Sequence, residues 1–282
     1  MDASQKRVFH YHASSNALGG VLTHPYKTVI STAANSALAN AGGYNSSPNV
    51  PYHLDHVLHC EKAYTHVTGG EEDGENDGPW STLTTAVVEG INLLEVVTAD
   101  RIVAQISSKH PKVGNVPIVS FVGSQFVNLR INGNPVEPLL ELHPFPVPPN
   151  GIPNGKSAKV LQVSSYHHKD VRKLAADQSR KVTSNSHAPG WVKERYGWLE
   201  SAKEIDDRGH LLCSLVMEVR GGESKNTFGH VIHVPGFGNV FLAEVTVDAN
   251  SYHLTMLRAE MGCASSGTIS MSAATANGKP QP

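Results

Sequence analysis

Residues 53–59 read HLDHVLH, three histidines and an aspartate within seven positions. Imidazole nitrogens and carboxylate oxygens are ordinary ligands for zinc and related cations, so the segment raises the question of a metal site. Spacing decides which geometry could serve. On a strand, alternate residues share a face, so His53, Asp55 and His59 point one way and His56 the other. On a helix, His53 and His59 diverge by about 120°, and the i, i+4 pairing of helical zinc sites is missing. Only the strand geometry is serviceable, and it needs a further ligand from elsewhere. The chain has 16 histidines, so chance clustering is the simpler account, and no metal or other cofactor is expected.

Other groups are weighed in the same way. His10 and His12 are two apart in an expected strand and share a face. YHHKD at 166–170, with His168, reads as the start of a solvated helix. His230 and His233 are three apart, so an extended chain puts them on opposite faces. Glu89 and Glu95 lie in an apolar run, where desolvation raises a carboxyl pKa towards the acid–base range. The solvent face of a strand, or an interface, is the plainer account of both, and of Glu244 between VFLA and VTVD. Cys213, in an apolar segment, reads as core. VGSQF at 122–126 lacks the second glycine of a nucleophile elbow. GFG at 236–238 precedes an expected strand, so it cannot place a phosphate on a helix N-terminus. The acidic GGEEDGENDG at 69–78 lacks the alternation of a calcium loop and reads as a surface loop.

The elements that must position these groups are mostly strands. Residues 7–12, 28–31 and 56–68 look extended. Residues 81–108 are dominated by β-branched side chains, with Leu83, Val87 and Ile91 on one face. After a change of register at 94–96, Ile102, Ala104 and Ile106 share a face. Residues 117–138 give two more strands around Asn132 and Gly133, a dipeptide that accepts the positive φ of a tight hairpin. The runs 240–247 and 252–261 form another hairpin. Residues 143–157 form a connector too rich in proline for helix or interior strand. Residues 158–209 carry more charge and better helix formers. The expected fold is therefore all-β, a sandwich or barrel of antiparallel strands with a small helical and loop insertion. Residues 1–142 and 210–275 form the β domain together, 143–209 are the connector and insertion, and 276–282 are a flexible tail.

Bulk composition narrows the function. Charged residues are 17% of the 282 and the net charge is −2, so no strong field draws the protein to nucleic acid or anionic lipid. No apolar run reaches the roughly 20 residues of a membrane span. Three scattered cysteines, without a CxxC pair, make neither a disulfide framework nor a zinc site. The N-terminus lacks the apolar stretch of a signal peptide, so a cytoplasmic address is the default expectation, with export by another route left open.

Several segments also occur in a familiar order. TAD at 98–100 is followed by INGNPV at 131–136 and by PGFGNVFLAE at 235–244. In that order they resemble the choice-of-anchor P family of bacterial surface proteins. The resemblance implies a β-rich extracellular or envelope module with no established enzymatic activity. The expected function is a non-catalytic structural or binding protein that meets further copies or a protein partner through strand edges. The alternative is a small-molecule enzyme on the same scaffold, metal-dependent or not, drawing on His10, His12, His53, His59, His168, Glu89 or Glu95 around a pocket.

Overall fold

The structure is a computed structural model that describes residues 8–72, 78–111, 116–146, 163–201, 211–248 and 251–281. Most of the proline-rich connector, the centre of the acidic loop and the middle of the 248–251 turn lie outside the described residues. The first half of the chain gives β1 (Val8–His24), β2 (Thr28–Ala37), β3 (Gly43–Ser46), β4 (Val50–Leu54), β5 (Leu58–Glu71), β6 (Trp80–Leu93), β7 (Val97–His110), β8 (Ile118–Ser120), β9 (Gln125–Val127), β10 (Arg130–Ile131) and β11 (Asn134–Leu140). Two helices follow, α1 (Val163–Thr183) and α2 (Gly190–Ser201). The chain then returns to β12 (Leu211–Ser214), β13 (Val216–Gly221), β14 (Thr227–Phe228), β15 (Val231–Val234), β16 (Gly238–Val247), β17 (Tyr252–Gly262) and β18 (Ser266–Gln281).

These strands build two antiparallel sheets packed as a sandwich. Sheet A has eight strands in the order β14-β15-β16-β17-β18-β1-β2, with β12 also on β16. Sheet B has ten, in the order β13-β11-β10-β7-β6-β5-β3, with β4 on β5 and with β8 and β9 on β7. Each sheet takes strands from both sides of the helical insertion. Between the sheets lies one large apolar core that includes Leu18, Ile102, Ile106, Leu242, Leu254 and Ile269. A side chain of this kind, fully buried, contributes about 1.5–3 kcal/mol. A second cluster, Phe9, Tyr11, Ala13, Leu38, Val67 and Trp80, fills one end.

The long strands of sheet A do not alternate from end to end. Val240 and Leu242 face the core in the first half of β16, and Val245 and Val247 in the second, so the inward phase changes at Ala243. Strand pairing steps over a position on each neighbour at the same level: Ala243, Met256, Ser272, Ala17 and Ala34. Three of these hold positive φ: Ala34 at 55°, Ala243 at 49° and Ser272 at 52°. A left-handed residue turns the following side chains to the other face, so one line resets the alternation of these five strands of sheet A. Ser272 on this line donates to the carbonyl of Ile102 at 2.9 Å, joining sheet A to sheet B. Left-handed geometry costs a residue with a Cβ about 1–2 kcal/mol. On the edge strand, Ala34→Gly is therefore expected to raise stability by up to about 1 kcal/mol, read from the urea midpoint.

The last strand corrects the expected flexible tail. β18 runs to Gln281 and pairs with β1 along its length, from His24↔Ser266 to Val8↔Gln281. Small residues, Ala274 and Ala276, turn into the core there. Glycine lets Gly278 lie under the Phe9 ring, where a Cβ would sit 2.1 Å from a ring carbon. No helix among the described residues is long and apolar enough to cross a membrane.

Candidate functional site

HLDHVLH is a hairpin, not the single strand that the alternation suggests. Val57 N–H returns to the Leu54 carbonyl at 2.9 Å, and Asp55 takes φ 40° in the turn. Across the hairpin His53 pairs with His59, their rings 5.8 Å apart and edge-on. The two histidines do meet, but Asp55 is carried away from the face they share. His10 and His12 stand exposed on the outer face of sheet A. Glu95 is exposed in the β6–β7 turn, where Leu94 and Glu95 both take positive φ. That turn is what the sequence shows as a change of register. The His168 side chain lies outside the described residues. Among the described residues no three His, Cys, Asp or Glu side chains gather in a way that could hold a metal ion.

Glu244 takes the second of its two expected places, an interface. It lies on the outer face of sheet A, as a solvent-facing residue would, yet it is only 6% exposed. Positive φ at Ala243 turns it to the side of Phe241, and the helical insertion covers that side. Val182 of α1, Ala188, and Val192 and Tyr196 of α2 pack there on Phe228, Val231 and Phe241. Beneath them Arg258 binds Glu244 through both oxygens, Nε to Oε2 at 2.6 Å and Nη2 to Oε1 at 2.8 Å. The guanidinium carbon sits 3.9 Å from the centre of the Phe241 ring and also pairs with Glu260. On the other side, His230 Nε2 is 3.7 Å from Glu244 Oε1, and Tyr196 Oη is 2.8 Å from His230 Nδ1. Burial pushes the Glu244 carboxyl up, but the His230 imidazole and the Arg258 guanidinium outweigh it and hold the carboxyl at about 2.

His230 and His233 do not take opposite faces. His230 lies in the turn before β15, with Gly229 at φ 61°. Both rings therefore meet α2, His230 against Tyr196 and His233 against Trp191 at 5.7 Å. A Tyr–His–Glu–Arg chain could in principle move a proton, but here it is roofed by α2 and every link faces another. Its effect is to clamp the insertion onto sheet A. α1 is held in the same way, by Gln178 bonding Ser214 through both main-chain groups at 2.7 and 3.0 Å. A further tie is His167 Nδ1, 2.5 Å from Tyr252 Oη. Cys213 beside it is core, as the sequence indicates, and burial pushes its thiol up to about 12.

A depression beside Glu89 and the edge of sheet A at β2 are open to solvent. Glu89 borders a depression of about 400 Å³ on sheet B. It pairs with Lys62 at 3.4 Å and accepts from Tyr64 Oη at 3.4 Å. β2 ends sheet A, and among the described residues it pairs only with β1.

The molecule is thus a two-sheet antiparallel sandwich with a helical insertion held on the outside of one sheet by apolar packing and by the Tyr196–His230, Gln178–Ser214 and His167–Tyr252 hydrogen bonds, over an ion pair between β16 and β17. Residues 9–248 match the model of a family described as a domain of unknown function (DUF8256), and the chain belongs to that family. No curated protein and no solved structure matches it.

Proposed function

We propose that the protein is non-catalytic and works by association, pairing with a second copy of itself through β2. The observation that carries this reading is the character of that edge. Exposed strand edges are templates for pairing and are usually blunted by charge, proline or shortness. β3 is four residues long, and β13 carries Glu218 and Arg220. β2 has ten residues, TVISTAANSA, with no charge and no proline, and its pairing with β1 is irregular only in the middle, between Ile30 and Asn35. Val29 on it is 66% exposed, and Tyr26 just before it 81%. Val29 pairs with Val21 of β1, which widens the apolar strip. The far end of β2 is capped by Asn45 Nδ2 donating to the Ala37 carbonyl at 2.9 Å.

Antiparallel pairing of β2 with its copy is isologous, so the contact closes at two chains and continues sheet A across both. It also fits the envelope setting that the choice-of-anchor P resemblance implies. Light scattering over a hundredfold range of protein concentration is expected to show a monomer–dimer equilibrium. Val29→Lys places a charge on the edge and is expected to shift it to monomer without loss of fold. A wild-type protein that stays monomeric at every concentration defeats the reading.

A further inference from the structure

We propose that the notch between β3 and β4 binds a neutral polysaccharide. Both short strands pair with β5, and the chain between them leaves a gap in the sheet edge. Ser47 fixes the floor of this gap: its N–H donates to the Thr65 carbonyl at 3.0 Å, and its Oγ accepts the Thr65 N–H at 2.8 Å. The depression above the floor is shallow and open, with a volume of about 400 Å³.

Its wall is aromatic. Tyr44, 69% exposed, lies beside His66, with ring centres 6.5 Å apart and planes 26° from parallel. A flat ring left in water, apolar on its face and polar at its tip, is suited to a ligand of the same mixed kind. A pyranose is such a ligand, with an apolar C–H face and a rim of hydroxyls. Hydroxyls need donors and acceptors set close together, since each is both. The rest of the depression supplies them: Asn49, the Tyr64 hydroxyl, and the Lys62 ammonium beside the Glu89 carboxylate. The two charges in the lining oppose each other, so the lining favours neither an anion nor a cation. An elongated chain can run past this shallow site and leave both ends in solvent, which a free monosaccharide cannot exploit. No residue of β2 lines the depression, so each reading has its own variant, Val29→Lys for dimerisation and Tyr44→Ala for polysaccharide binding.

Affinity electrophoresis of the whole chain tests the proposal, in native gels holding mixed-linkage β-glucan, arabinoxylan, galactomannan, glycogen or, as an anionic control, alginate. Wild type is expected to be retarded by at least one of the four neutral polymers, at high salt as well as low. Tyr44→Ala, whose side chain carries no core packing, is expected to weaken that binding at least tenfold with an unchanged circular dichroism spectrum. Glu89→Gln is expected to weaken it less. The proposal is overturned by unchanged mobility in all four neutral gels or by equal retardation of Tyr44→Ala. Retardation in alginate alone that salt abolishes overturns it too, because that result reports charge attraction to Lys62 and its neighbours.

Discussion

Arg258→Met is expected to destabilise the protein by about 3–5 kcal/mol, because it strands the Glu244 carboxylate under the helical insertion with only His230 near it. The penalty is the cost of leaving one buried charge without its partner, not the net worth of the pair. The double variant Glu244→Leu with Arg258→Met is therefore expected to recover most of the loss, since apolar replacements of similar size fill such sites well. Urea unfolding of the single and double variants measures both effects. Acid titration adds a second readout. The Glu244 carboxyl is held at about 2 in the folded chain against an ordinary value of 4.5, so the folded state binds its proton less readily. Its contribution is complete above pH 4.5 and is lost as pH falls towards 2, about 3 kcal/mol over the window. Glu244→Gln is expected to flatten the stability curve across that window. A Glu244→Gln curve that still falls as steeply as wild type there, or a double variant no better than Arg258→Met, would show that the buried carboxylate does not depend on its pairing with Arg258.

The fold is legible where burial alternates and a turn has its own residues. Asn132 and Gly133 take φ 52° and 76° at the turn between β10 and β11, and the β16–β17 hairpin pairs Val247 with Tyr252. The helices fall inside the expected insertion. What escapes the sequence is where alternation stops and restarts. Ala34, Ala243 and Ser272 carry positive φ without being glycine, and nothing in their side chains announces it. Their conformations are imposed by neighbours across five strands, which one strand read alone does not contain. The buried Glu244–Arg258 pair follows from that hidden shift. Its only sequence trace is a glutamate amid apolar residues and an arginine fourteen positions on, on the next strand. Only the end of β18, residues 276–281, escapes, and for the opposite reason: ANGKPQ has weak strand preference, and its order comes from β1 beside it.

Acidification between pH 6.5 and 4 is expected to weaken the fold through one histidine, His110, at the end of β7. Its ring is buried against Phe9, 4.9 Å away and edge-on, in the cluster that includes Trp80. Nε2 lies 3.1 Å from Asn277 Oδ1 on β18, and Nδ1 has no partner among the described residues. Burial pushes the imidazole down to about 4 from 6.5, more than the Asn277 bond can offset. The folded chain therefore keeps His110 neutral at pH values where the unfolded chain protonates it. Above pH 6.5 both states are neutral and nothing is lost. Below it the unfolded state gains a proton that the folded state lacks, and the loss reaches about 3 kcal/mol near pH 4, where it levels off. His110→Gln keeps a donor for Asn277 and does not titrate, so its stability is expected to stay flat where wild type declines. Urea midpoints at several pH values between 7 and 4 measure the difference, and equal slopes in the two proteins refute it. Because the Glu244 window opens only as this one closes, a curve that falls in two steps, each removed by its own variant, assigns acid unfolding to two places. One is the β1–β18 end of the sandwich and the other is the seat of the helices on sheet A.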